Sequence, residues 1–486
     1  MGIVLKQALN NTVITYIGFA IGAVNHLFLF TKFLTPEYFG LVGVILAASN
    51  ILMPIVAFGV PNTIVKFFSS FSKNENSDSF LTLMLLLPLG LILPLLGLVY
   101  VANDLIGDFL SQQNAIVKDY VWYIFITGVA MAYFEIFYSW ARVHMKSVFG
   151  NFMKEVFVRA GTMVLLILLY LNTISVDIFL VALVGLYVIR MVFMKMYAYH
   201  LRMPKLNFNW PQNVKRILSY TILIIVGGSA AVVLLEVDKV MLNQLIDIEN
   251  VAYYGVAVYI AVVIGVPSRS MQQITSPLTA KLLNENDTAG LKTLYQKSSL
   301  TLFIASGILF LLIVLNVKEL YVLIPEAYRG GFFVVLIIGL VKVYDSLLGN
   351  NNAILYNSDY YRAILLMGLL IAVLTILFNF WLIPKFGIEG AAMASLLAFF
   401  IFNTIKLVYV KAKFKMLPFT SNTAKVFGLL ILIGVPFYFV DFSFHPIDNI
   451  LLKSIPMILI YVFVLYRFQM SEDIVGVIDK VLKRGR

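Results

Sequence analysis

The chain has 486 residues, 61% of them hydrophobic and only 13% charged, with a mean hydropathy of +0.93. Soluble domains average roughly 25% charged residues, so lipid rather than water is the main solvent here. A net charge of +11 would suggest nucleic acid in a soluble protein, but the positions of the charges tie it to a membrane, and the lack of cysteine excludes disulfides, thiolate metal sites and a cysteine nucleophile.

The opening Met1-Gly2-Ile3-Val4-Leu5-Lys6 lacks the three-part layout of a cleaved signal peptide, so the first span is expected to stay as an anchor. A helix needs roughly 20 mainly apolar residues to cross the hydrocarbon. On that rule, spans are predicted near 12–34, 39–60, 80–102, 118–140, 153–172 and 177–199. A second group is predicted near 217–236, 251–273, 298–318, 330–350, 362–382 and 388–408, followed by 425–441 and 450–467. With the N terminus inside, 24 of the 36 Lys and Arg fall in inside segments and 7 outside, the remaining 5 lying within spans. Basic residues mark the cytoplasm, so both termini are placed there.

The expected fold is an all-α integral membrane protein of about fourteen transmembrane helices, with two six-helix lobes of pseudo-twofold symmetry and two C-terminal helices. The boundaries are an N-lobe over 1–199, a basic cytoplasmic linker over 200–216, a C-lobe over 217–410, two more spans within 411–468 and an amphipathic tail over 469–486. Short repeats support the two lobes. Tyr38-Phe39-Gly40 matches Tyr253-Tyr254-Gly255 at an offset of 215, and Asn74-Glu75-Asn76 matches Asn284-Glu285-Asn286 at an offset of 210. Six spans per repeat give a parallel repeat about an axis along the membrane normal. In the tail, Ser471 caps a helix that opens with Glu472 and Asp473 and ends in basic residues, as expected of a helix on the membrane surface.

An ionisable group inside a span costs roughly 2.5–3.5 kcal/mol on insertion scales, so it faces a wet cavity or a partner. Lys342 lies near the midplane of the tenth span, with Asp345 three positions on, where the two can pair. In the fourth span Glu135, Tyr138, Ser139 and Arg142 form one polar stripe; it can line a sugar-wetted cavity, and the carboxylate can carry a proton. Arg269, Gln272, Gln273 and Ser276 repeat that spacing in the eighth span, with amides suited to sugar hydroxyls and a guanidinium suited to phosphate. Asn25 and Lys32, seven apart in the first span, share a side and could receive an anionic headgroup. The plainer readings are a structural ion pair for Lys342 and Asp345, a snorkelling end residue for Arg142, packing for His26, an interfacial cluster for Glu236, Asp238 and Lys239, and snorkelling for Arg190 and Lys195. No Walker loop, zinc motif or nucleophile elbow is present, so no metal, cofactor or ATP-driven step is expected.

Three strings carry a resemblance. Lys32-x-Leu34-x-Pro36-Glu37-x-x-Gly40, then Asp238-Lys239-Val240-Met241-Leu242 followed by Tyr253-Tyr254-Gly255, then Ile383-Pro384-x-Phe386-Gly387-Ile388-x-Gly390-Ala391-Ala392 resemble polysaccharide-exporting members of the multidrug/oligosaccharidyl-lipid/polysaccharide (MOP) superfamily. The resemblance implies a two-lobe, alternating-access flippase of the Wzx type in the bacterial inner membrane. Such proteins move undecaprenyl-diphosphate-linked oligosaccharide to the periplasmic leaflet for surface polysaccharide synthesis, driven by H+ or Na+ or by membrane potential. The implied partners are the lipid-linked oligosaccharide, membrane lipids and other polysaccharide-assembly membrane proteins. Two alternatives stay open: an ion-coupled drug or metabolite exporter of the same superfamily, and a membrane polymerase, ligase or glycosyltransferase. The last would need more than the short outside segment near 103–117, with Asp104 and Asp108.

Overall fold

A computed structural model describes residues 2–71, 77–211 and 213–484; the side chains at 2–9, 69–70, 77, 226–231, 273, 361, 477 and 480–484 are not among those described. The Asn74-Glu75-Asn76 half of the second repeat string and the basic end of the tail therefore lie outside the description. Regular structure among the described residues is helical throughout. Lipid dictates this, because a spanning segment must satisfy its backbone polar groups internally.

Among the described residues, eleven stretches are long and apolar enough to cross a membrane. One of them, within α9 (Tyr361–Phe414), is interrupted by Gly387 at φ 56° and ψ −131°, and so counts as two spans. Val214–Leu245 and the helical run 147–170 bring the total to about fourteen. The run 147–170 holds Lys154, Glu155 and Arg159 because each charge is matched. Arg159 pairs with Glu155 at 2.7 Å, and Lys154 reaches a different helix.

The helices used below are α1 (Gly2–Val24), α2 (Pro36–Val56), α3 (Val60–Phe71), α4 (Val121–Val143), α5 (Val176–Leu201), α6 (Val214–Leu245), α7 (Thr288–Val322), α8 (Phe332–Leu347), α9, α10 (Ser421–Tyr438), α11 (Pro446–Arg467) and α12 (Glu472–Arg484). Their ends follow local chemistry. Thr35 Oγ1 accepts from Tyr38 N, Pro36 occupies the first turn of α2, and Glu37 meets the positive end of the helix dipole. Asp287 Oδ1 caps α7 through Gly290 N at 2.8 Å. α12 is docked by Lys297 on the Glu472 carboxylate at 2.9 Å, which holds that carboxyl below its ordinary range.

The chain forms two compact units, Met1–Gly255 with Gly368–Gly387, and Val256–Met367 with Ile388–Arg486. In the first, Trp140, Phe134, Phe80, Leu81 and Ile64 are fully buried in one apolar cluster. In the second, Phe303, Ile304, Val426, Met457 and Tyr461 join α7, α10 and α11.

The second span, expected near 39–60, runs over Pro36–Val56, and the helix breaks at its end. α2 ends at Val56, Phe58 and Gly59 adopt φ of 52° and 65°, and α3 begins at Val60. Pro54 and Pro61 flank the break. A Cβ on Gly59 would lie 2.5 Å from the Thr221 carbonyl oxygen, so this turn needs glycine for conformation and for space. Gly59→Ala should lower stability by about 1–2 kcal/mol from the left-handed backbone alone, and by more from the contact. Thermal unfolding in detergent measures it, and an unchanged melting temperature would show that the break is soft.

Candidate functional site

The break in the second span opens beside the polar stripe of α4. Glu135, Tyr138, Ser139 and Arg142 share a face at i, i+3, i+4 and i+7, and the structure locks them together. Arg142 donates to Ser139 Oγ at 2.8 Å, and its guanidinium lies 5.1 Å from the Tyr138 ring centre. The Tyr138 ring packs where a Cβ on Gly150 would fall. Lys154 Nζ donates to Glu135 Oε1 at 2.6 Å. Of these groups, Glu135, Arg142 and Lys154 line a cavity of about 280 Å³ with Gly59, Pro61, Asn62, Met53 and Ile224 among its other walls.

This cavity holds two cations and one carboxylate. Glu135 is mostly shielded, with 18% of its side chain exposed against 43% for Lys154. The carboxylate therefore fixes Lys154 toward the cavity and leaves a net positive charge for a guest. A guanidinium and an ammonium suit a phosphate group, the one by paired donors and the other as a point charge. Lys154 and Asn62 were not singled out from the sequence. Lys154 looked like a loop charge at the boundary of the fifth span, and Asn62 sits just past a span end.

Elsewhere in the first unit the expected sites divide. Asn25 is buried and donates to the Arg159 carbonyl at 2.8 Å, whereas Lys32 is exposed. A π-helical turn over Asn25–Leu29 follows α1 and rotates the later residues off the face predicted from α-helical spacing, so the two do not form one patch. His26 Nδ1 lies 3.1 Å from the Gly22 carbonyl and edge-on to Phe30. Arg190 on α5 does not snorkel; it is buried, with its guanidinium 4.2 Å from the Phe134 ring centre and 4.8 Å from Tyr187. The Glu236, Asp238 and Lys239 cluster separates on α6. Glu236 pairs with Lys239 at 2.9 Å, while Asp238 turns inward, accepting from Tyr254 Oη at 2.6 Å and Asn379 Nδ2 at 2.7 Å.

In the second unit, the Lys342 stem packs against Gly265 and its ammonium lies 5.5 Å from the Phe399 ring centre. Lys406 stands beside Asp345, 3.9 Å away and 1% exposed. Lys406 also donates to Asn352 Oδ1 at 2.8 Å and sits over Phe402. Lys406 was countable as an in-span lysine, but its partner comes from another helix. Arg269 and Gln272 are exposed, and the Gln273 side chain lies outside the described residues. A second, apolar groove of about 460 Å³ runs between α7, α8 and α10, lined by Phe303, Gly307, Leu311, Phe427, Leu430 and Gly434 among others.

Lys154→Ala should destabilise the protein by roughly 1–2 kcal/mol, a buried-pair penalty discounted for the exposure of the lysine. The neutral double variant Glu135→Gln/Lys154→Gln should melt closer to the parent than Lys154→Ala does. A double variant that melts lower than the single would remove the ion pair as the organising contact of the cavity.

The comparisons with known proteins agree with this architecture. Residues 4–283 match the family model described as "Polysaccharide biosynthesis protein". The fold is similar to that of the lipid II flippase MurJ in an inward closed conformation, at TM-score 0.70 and 15% identity over 95% of this chain and 99% of that one. It is also similar to an inward-facing multidrug resistance MATE family transporter of the MOP superfamily, at TM-score 0.65 and 14% identity over 84% and 98%. A MOP superfamily transporter from Pyrococcus furiosus, described by a reversed polarity of its binding pocket, matches at TM-score 0.58 and 14% identity over 85% and 97%. No curated protein matches the sequence significantly. With more than half of its length matched, a MOP-type fold and about fourteen spans, this multi-pass membrane protein belongs to the polysaccharide biosynthesis protein family.

Proposed function

We propose that this protein is a Wzx-type flippase that moves undecaprenyl-diphosphate-linked oligosaccharide from the cytoplasmic to the periplasmic leaflet of the inner membrane, and not an enzyme. The observation that carries the proposal is the cavity of Glu135, Arg142 and Lys154 at the break in the second span. It combines net positive charge for a diphosphate with the Asn62 amide for a sugar hydroxyl. The apolar groove of the second unit supports a lipid-linked cargo, since its walls give a prenyl chain a surface of matching chemistry. Both termini are cytoplasmic in this reading. The lobes that move are 1–199 and 217–410, joined through 200–216, a division by repeat and not by compactness. Lys342, Asp345, Arg269, Gln272 and Gln273 serve the cargo on the second lobe.

Energy coupling falls to a buried carboxylate that can exchange a cation. Glu135 is committed to Lys154, so its role is to hold that lysine. Asp238 suits the task better, because it is buried and held by a tyrosine hydroxyl and an asparagine amide, both of which tolerate a neutral acid or a bound cation. A proton and a sodium ion both fit this description.

In a polysaccharide-producing host lacking its own flippase, Arg142→Gln/Lys154→Gln should lower surface polysaccharide more than tenfold at unchanged protein level in the membrane. Normal export by that variant would overturn the cargo assignment, and restored drug resistance without polysaccharide would favour the drug-exporter alternative. Asp238→Asn should remove the response of export to a collapsed ion gradient. A variant that responds like the parent protein would exclude Asp238 from coupling.

A further inference from the structure

Two cavities adjoin the start of α7, and Gln296 lines both of them. In the first, Lys297 is matched by Glu472 at 2.9 Å, and Asp473 also forms part of the wall. Here the chain neutralises its own lysine with the C-terminal helix. The second cavity, of about 650 Å³, is lined by Lys292, Lys411 and Lys415 and by no acidic residue. A general excess of lysine on one side of the membrane does not separate these two pockets; the placement of the carboxylates does.

The second cavity is built on a rigid base. Leu291, Tyr295, Val410 and Met416 form a buried cluster behind it, and Gln296 donates to the Leu417 carbonyl at 3.5 Å. Lys411 belongs to the last turn of α9, and Lys415 follows it in a left-handed cap at φ 56°. Lys292 comes from the first turns of α7. All three sit at helix ends that the lysine asymmetry assigns to the cytoplasm. The rest of the wall is mainly apolar, and Val408 and Phe419 stand 58% and 38% exposed.

We infer that this pocket binds the headgroup of an anionic phospholipid, with the phosphate among Lys292, Lys411 and Lys415 and the upper acyl chains against Val408 and Phe419. Three ammonium groups supply charge for a phosphate, and basic pockets at the cytoplasmic ends of transmembrane helices are suited to such headgroups. The apolar rim separates a lipid from a free anion, because an inorganic ion gains nothing from Val408 and Phe419. The inference is independent of what the protein transports.

Native mass spectrometry of the full chain in detergent tests it, with phosphatidylglycerol and phosphatidylcholine of identical acyl chains as probes. The unmodified protein should retain phosphatidylglycerol preferentially. Lys292→Gln/Lys411→Gln/Lys415→Gln should hold phosphatidylglycerol about a hundredfold more weakly, at about fivefold per lysine, with phosphatidylcholine unchanged. Millimolar inorganic phosphate should not displace the lipid. Equal retention of the two lipids, unaltered binding by the triple variant, or displacement by phosphate would each overturn the proposal, the last by assigning the pocket to a soluble anion. Should the triple variant fail to insert, Lys411→Gln alone should bind about fivefold more weakly while Lys297→Gln matches the parent. Equal losses in these two single variants would show a diffuse surface potential in place of a site.

Discussion

Charge in hydrocarbon needs a counter-charge, a dipole or water within reach, and that requirement orders the polar interior of this protein. Lys154 is tolerable within its helix because Glu135 meets it from α4 at 2.6 Å. Arg159 is met by Glu155 one turn away. Arg190, deep in α5, lies between the faces of Phe134 and Tyr187, whose negative quadrupoles take part of the place of an anion. Lys406, almost fully buried, shares an asparagine oxygen, a carboxylate and an aromatic face. Where the partners satisfy the charge locally, the result is structure. At the Glu135 cavity cations outnumber carboxylates, and that surplus is what the proposed binding of a diphosphate draws on.

The same constraint governs the backbone. Carbonyl and amide groups cannot be left bare in lipid, so a helix breaks only where a cavity or another part of the protein receives the freed groups. The second span breaks at residues 57–59, beside the cavity that Gly59 and Pro61 help to line, with Thr221 packed against the glycine. Pro54 alone would bend a helix. The glycine that follows converts the bend into a turn with two residues of positive φ. A spanning helix interrupted at a polar pocket gives the site backbone dipoles as well as side chains, at a position where a continuous helix would present only apolar surface.

Much of this was legible from one-dimensional pattern. The spans follow from apolar runs, and the Glu135 to Arg142 stripe follows from helical spacing, because both depend on neighbours in sequence. What could not be read depends on neighbours in space. Lys406 has its carboxylate 61 residues upstream at Asp345, so no i, i+4 rule points to it. Asp238 is flanked by Glu236 and Lys239, which made the trio look interfacial, and one of its inward partners, Asn379, is 141 residues away. Asn25 is buried and Lys32 exposed for a local reason: a π-helical turn adds a residue to the turn, and face assignments beyond it rotate by roughly 100°. Lys154 was hidden by a boundary error of a few residues, the usual uncertainty at a helix end.

One regularity ties sequence and structure more closely than either does alone. Glu135 in the fourth span and Asp345 in the tenth stand 210 residues apart, the offset that relates Asn74-Glu75-Asn76 to Asn284-Glu285-Asn286. Each acid follows an aromatic residue, Phe134 or Tyr344, and seven positions after each lies a polar group, Arg142 or Asn352. The cations that answer the two acids come from different places: Lys154 reaches Glu135 from the next helix, and Lys406 reaches Asp345 from the second half of α9. A carboxylate in a spanning helix can recruit a lysine from whichever packed helix presents one, so the two acids keep their spacing in the sequence while their cations do not. That asymmetry leaves one unit with an open, cation-rich pocket and the other with a lysine sealed among an asparagine, an aspartate and a phenylalanine. It is the physical reason that the diphosphate of the cargo is proposed to sit in the first.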